Sequence, residues 1–311
     1  MNPSFSIVFF TTASGAGFGL LALIGVAAPL GLVPQSARFG LVALATATAL
    51  AVAGLLSSFL HLGRPRRAWR AFSQWRSSWL SREGALSVLT LVPAAVFGIG
   101  WVFFGSTDGL VGLCGILAAA LALGTIYCTG MIYRSLKPIR QWHNGWVVPN
   151  YLLLGLMAGL LLLDLIVRFW LRPLGIPIAA VLAVGFAWWS KERYWRLVDT
   201  GPAASTAASA TGLGGRGRVR LLEPPHTEEN YLLKEMGFRI GRKHRLRLRL
   251  VARLAAFAAP LVATLLALAA ASTLAAALAV ASAALGLVIE RWLFFAEATH
   301  TVMLYYGAEA A

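Results

Sequence analysis

The chain has 311 residues, of which 59% are hydrophobic and 13% charged, and its mean hydropathy is +0.73. Soluble domains carry about 25% charged residues because a water-facing surface has to be covered, so a soluble enzyme is excluded. The 27 Lys and Arg against 12 Asp and Glu give a net charge of +15. In a soluble chain that would suggest a nucleic-acid partner; here the placement of the charges decides.

A bilayer core of about 30 Å needs roughly 20 residues of helix at about 1.5 Å each. Eight stretches of that kind with few charges follow one another at 5–29, 36–62, 84–104, 109–133, 147–170, 173–190, 248–271 and 273–304. They are continuous rather than alternating, which excludes a transmembrane barrel. The expected fold is an all-α integral membrane protein, an eight-transmembrane-helix bundle. The first stretch has no basic residues before it and is too long for a signal-peptide core, so it reads as a retained span.

Three parts follow from this pattern. Residues 1–193 hold helices one to six, including a loop at 61–83, and 248–311 hold helices seven and eight. Between them, 194–247 lies outside the membrane. Its Gly, Ala, Ser and Thr content at 201–215 predicts a flexible linker, and Thr227 and Gly237 are placed to cap a short helix at 228–236.

Of the 27 basic residues, all but Arg38, Arg168, Arg172, Arg253 and Arg291 fall between helices two and three, between four and five, or in the stretch 190–249. Basic residues in short loops stay on the cytoplasmic side, so even-numbered spans end there and both termini are cytoplasmic, in a bacterial inner membrane. The same face suits anionic lipid headgroups or an acidic protein partner.

Ionisable groups in or beside spans are costly and therefore candidates for chemistry. The densest group runs from His61 to Glu83, with Arg64 beside the histidine and Trp69, Trp75 and Trp79 suited to headgroup depth. A quinone exchanges two electrons and two protons, so its site needs a group titrating near neutrality, which histidine supplies. His61 and Glu83 are the candidate catalytic pair. Arg64 could donate to a ring carbonyl, and Trp69 and Trp79 could wall the pocket. A plain structural reading stands beside this: an interfacial histidine bonded to backbone, and a first-turn carboxylate favoured by the helix dipole.

On helix eight, Glu290, Glu297 and His300 could form a proton path; equally, ion pairs there could hold helices together, which is the preferred reading for Arg291. Asp164 and Arg168, four apart, read as a local salt bridge. Haem is disfavoured, since His143, His226 and His244 lie in loops and His61 and His300 at helix ends, leaving no axial pair within the bundle. Cys114 and Cys128 share one apolar run and build no cluster or zinc site, so no metal is expected on this chain. A transporter, the competing class, would predict a water-filled midplane cavity and internal repeats; no repeat is visible.

The run His61-Leu62-Gly63-Arg64-Pro65, with Arg67-Ala68 and then Ser78-Trp79-Leu80-Ser81-Arg82-Glu83, resembles the membrane-anchor subunit of the dimethyl sulfoxide reductase family of molybdoenzymes. The opening Asn2-Pro3-Ser4-Phe5-Ser6 and the segment Lys234-Glu235-Met236-Gly237-Phe238 look closer to the branch found in cytoplasmic quinone-linked sulfite dehydrogenases. The Arg- and Trp-rich loop and its cytoplasmic placement differ from the enteric sulfoxide reductase anchor. The resemblance implies a quinone (ubiquinone or menaquinone) site at His61 and Glu83. It also implies two partners on the cytoplasmic face: an iron–sulfur subunit with four clusters and a molybdopterin catalytic subunit. Sulfite oxidation coupled to quinone reduction is the implied reaction, with a quinol-oxidising sulfoxide-type reductase as the alternative. No activity is expected of the chain alone.

Overall fold

The computed structural model describes residues 3–59, 65–172, 174–201, 205–223, 225, 226, 228, 230 and 243–311. Eight long helices dominate them: α1 (Phe5–Ala27), α2 (Ala37–Phe59), α3 (Trp79–Phe104), α4 (Gly109–Arg134), α5 (Val147–Val167), α6 (Gly175–Thr200), α7 (Arg245–Ala269) and α8 (Thr273–Ala296). No strand occurs among the described residues. Seven of the eight are long and apolar enough to cross a membrane. The exception is α6, whose second half carries Lys191, Glu192, Arg193, Arg196 and Asp199.

Successive helices run antiparallel, so α1, α3, α5 and α7 begin at the end of the bundle where the others finish. Contacts between remote segments fix that end. The Ser57 hydroxyl donates to the Ser6 carbonyl, Arg140 donates to the carbonyls of Leu197 and Gly201, and Arg249 pairs with Asp199 and Glu297. Because the connections there carry Arg67, Arg70, Arg76, Arg134, Lys137, Arg140 and the charged end of α6, it is the basic end of the molecule.

In lipid, helices gain little from hydrophobic association and are drawn together by close packing, which small residues permit. The inner helix α1 shows this: a Cβ on Gly19 would collide with the Gly155 carbonyl of α5, and one on Gly17 with the α2 backbone at Ala47 and Ala51. The contact of α8 with α7 is built the same way, with Gly286 against Ala256. That stretch of α7, Leu254–Ala258, is a π turn. Pro260 lacks an N–H and its ring crowds the carbonyl four residues back, which loosens the ladder; the Ser282 hydroxyl donates to the Ala255 carbonyl at 2.8 Å.

Several expected boundaries are corrected. Helix three starts at Trp79 rather than 84, because the Ser78 hydroxyl accepts from the Ser81 N–H and caps it; Glu83 therefore lies inside the helix. Helix two extends to Phe59 within the described residues, and helix five stops at Val167. Helix six continues ten residues past 190 to Thr200, and helix seven runs from Arg245 to Ala269. Helix eight ends at Ala296, not 304; a separate 3-10 turn, Thr301–Leu304, follows, so His300 is off the helix. Within the expected linker, Ala207–Thr211 forms a helical turn capped by Thr206, and Ser205 pairs by backbone with Ala311. The short helix at 228–236 lies outside the described residues.

Candidate functional site

The connection before α3 is tied down by the helix's own first turns. Pro65–Gln74 is a 3-10 helix. The Ser81 hydroxyl donates to the Ala71 carbonyl, while Arg82 donates from Nε to the Trp75 carbonyl at 2.9 Å and from its terminal nitrogen to that of Arg76 at 2.6 Å. The Arg82 guanidinium also lies 4.2 Å from the centroid of the Trp79 ring, which meets Tyr127 of α4 edge-on. Trp69, Phe72 and Trp75 are exposed, as interfacial aromatics should be.

Glu83 sits in the second turn of α3 and is 3% exposed. Its carboxylate accepts a hydrogen bond from the Thr129 hydroxyl of α4, and its backbone carbonyl accepts one from Ser87. Unlike Asp164 and Glu290, it forms no salt bridge among the described residues. His61 and Arg64 lie outside the described residues, so Glu83, Trp69 and Trp79 are the members of the expected site that the structure places. Trp79 is beside Glu83 on α3; Trp69 is on the exposed 3-10 segment.

Thr129 also borders a narrow crevice between α1, α4, α5 and α8. Its polar lining is Thr11, Thr12, Ser14, Thr129, Tyr151 and Arg291. The α1 hydroxyls are turned back onto carbonyls of their own helix. The Tyr151 hydroxyl and Arg291 Nε are different: both are buried without a hydrogen bond of good geometry among the described residues. The Arg291 guanidinium lies over the Tyr151 ring at 3.9 Å. The polar end of the crevice is thus a tyrosine hydroxyl and a guanidinium that also faces Glu290.

A second polar group adjoins the crevice through Arg291. Lys191 of α6 and Glu290 of α8, 1% and 0% exposed, form a buried ion pair, with Arg291 Nε 3.7 Å from the second Glu290 oxygen. The Lys191 ammonium also sits 3.9 Å from the Tyr194 ring centroid. Glu297 accepts two hydrogen bonds from Arg249 at 2.7 Å each, and Arg249 reaches Asp199 at 2.7 Å. His300 packs edge-on against Trp142 with ring centroids 5.7 Å apart. Asp164 and Arg168 form their expected bridge at 3.1 Å, and Arg168 adds a hydrogen bond to the Ala267 carbonyl at the end of α7.

Sequence reasoning missed Lys191, Thr129 and Tyr151. Lys191 fell one residue beyond the expected end of helix six. A lysine flanked by Trp188, Trp189, Tyr194 and Trp195 was the available signal that the helix continued with a buried face. Thr129 and Tyr151 carry no such mark.

Comparison with known proteins adds an independent line. The family described as DMSO reductase anchor subunit (DmsC) matches residues 1–186. The C subunit of the sulfite dehydrogenase of Allochromatium vinosum is 35% identical over the whole of both proteins. The C polypeptide of the anaerobic dimethyl sulfoxide reductase of Escherichia coli K12 is 30% identical over 139 residues, covering 42% of this protein and 47% of that one. No solved structure matches significantly.

Proposed function

Because the chain belongs to the DMSO reductase anchor-subunit family, we propose that it is the quinone-reactive subunit of a molybdopterin and iron–sulfur oxidoreductase. All eight helices cross a bacterial inner membrane, and the basic end faces the cytoplasm, where the iron–sulfur and molybdopterin subunits dock. The observation that carries the reading is Glu83. A carboxyl group buried at the basic end, held by a hydroxyl rather than a cation, directly follows the loop that bears His61 and Arg64.

The balance is simple. Sulfite and water give sulfate, two protons and two electrons, and quinone takes up two electrons and two protons to become quinol. The partner subunits' molybdenum and iron–sulfur clusters would supply the electron transfer, and this chain the proton exchange. His61 and Glu83 hold and deliver the protons, Arg64 donates to a ring carbonyl, and Trp69 and Trp79 close the pocket toward the headgroups. Glu290 and Glu297, each held by a cation, we read as counter-ions that lock α6, α7 and α8 rather than as proton carriers, and His300 as packing on Trp142. A sulfoxide-type reductase running in the opposite direction is the second reading, favoured by the identity with the E. coli protein.

The test is His61→Ala in the assembled complex. Quinone-linked turnover should fall about a hundredfold or more, the contribution of a positioned acid–base group, while turnover with a soluble dye persists. Unchanged quinone kinetics would refute the role.

A further inference from the structure

The stretch from His61 to Arg82 carries six arginines and no Asp or Glu. Side chains three apart eclipse one another on a 3-10 helix, and runs beyond three or four residues are uncommon. Pro65–Gln74 is such a run of ten, held from outside by the Ser81 and Arg82 donors to the carbonyls of Ala71, Trp75 and Arg76. Its sequence has the same period. Trp69 and Phe72 share one stripe, with Trp75 following in the next turn, while Arg67 and Arg70 share the adjacent stripe, with Arg76 following. All six side chains are exposed. The Arg70 and Arg76 guanidinium groups each lie 5.6 Å from the ring centroid of the preceding tryptophan. Arg82 spends its guanidinium on backbone carbonyls and the Trp79 ring, but Arg67, Arg70 and Arg76 meet no carboxylate among the described residues.

We propose that this segment is a docking surface for anionic phospholipid, with the aromatic stripe in the headgroup layer and Arg67, Arg70 and Arg76 on the lipid phosphates. Tryptophan settles at the membrane–water interface, and clustered arginines attract anionic headgroups. Place decides between lipid and protein. The segment packs chiefly on α3, which itself rests mainly on α4 and leaves Leu80, Val88, Leu89 and Val92 exposed along its outer flank. It therefore lies at the rim of the basic end, beside the bilayer, rather than over the meeting of α1, α5 and α8. A cation stacked beside each exposed indole suits a boundary with hydrocarbon on one side and phosphate on the other. The inference needs the bundle to span a bilayer and is independent of the quinone chemistry.

The experiment is native mass spectrometry of the detergent-solubilised, assembled complex titrated with phosphatidylglycerol or phosphatidylcholine. Wild type should hold phosphatidylglycerol more tightly, and the preference should shrink as salt rises. Arg67→Gln, Arg70→Gln and Arg76→Gln together should weaken phosphatidylglycerol binding about a hundredfold, at roughly fivefold per arginine, and leave phosphatidylcholine binding and dye-linked turnover unchanged. Lysine at the same three positions keeps the charge and should restore the preference, which separates electrostatics from misfolding. Inorganic phosphate at the lipid's concentration should not compete, since it brings nothing for the aromatic stripe. Equal binding of the two lipids by wild type, an unaffected Gln variant, or displacement by inorganic phosphate overturns the assignment. So does release of the iron–sulfur subunit from the Gln variant with its lipid binding intact, which would give the surface to a protein partner.

Discussion

Glu83 and Glu290 are both carboxylates buried in helices near the basic end, yet their surroundings are opposite. Glu290 has the ammonium of Lys191 against one oxygen and the guanidinium of Arg291 near the other. Glu83 has a threonine hydroxyl. Burying an ion pair costs desolvation that mutual attraction must offset, and removing one partner leaves a charge the interior cannot solvate. A carboxyl answered only by a hydroxyl has no such commitment, because either protonation state keeps the hydrogen bond. The first arrangement suits a fixed anion that clamps helices; the second suits a group that gains and loses a proton.

The sharpest way to break this contrast is Lys191→Met, which should destabilise the chain by about 3–5 kcal/mol, the cost of stranding a buried charge, read as a lowered unfolding temperature of the detergent-solubilised complex. Adding Glu290→Gln should recover a measurable part of the loss, since Arg291 keeps the Tyr151 ring. A single variant as stable as wild type contradicts the clamp. Glu83→Gln should do the reverse. Its amide oxygen can still accept from Thr129, so stability should change by less than about 1 kcal/mol, whereas quinone-linked turnover should drop about a hundredfold with dye-linked turnover intact. A smaller effect is expected of Thr129→Val, which removes the donor and keeps the shape. A loss of about 1 kcal/mol, or roughly fivefold in quinone-linked kcat/KM, is the expected result. An unaltered value would show that Thr129 does not position the carboxylate.

The same contrast explains what could be read from the chain. Continuous apolar runs located the long helices, and Glu83 stood out because a carboxylate bordering a span has few structural excuses. Helix three nevertheless reads short: Trp79, Leu80, Ser81 and Arg82 look like loop until the Ser78 cap is recognised. The end of α6 failed for a deeper reason. Lys191-Glu192-Arg193 has the composition of a solvated terminus, and only a partner 99 residues away, Glu290, makes Lys191 an interior side chain. Helix eight erred in the other direction, because residues beyond Ala296 remain compatible with helix and nothing local marks the stop. Thr129 and Tyr151 were invisible as site residues, since their role arises only where four helices meet around one crevice.

The most direct test is a density map of the purified complex with its partner subunits and a bound quinone. The ring should lie between the 61–83 loop and the α3–α4 edge of the crevice, a carbonyl within hydrogen-bonding reach of His61 or the Glu83 side, with an iron–sulfur cluster of the partner as its nearest metal. A ring seated elsewhere, or His61 and Glu83 both turned away from it, would contradict the account.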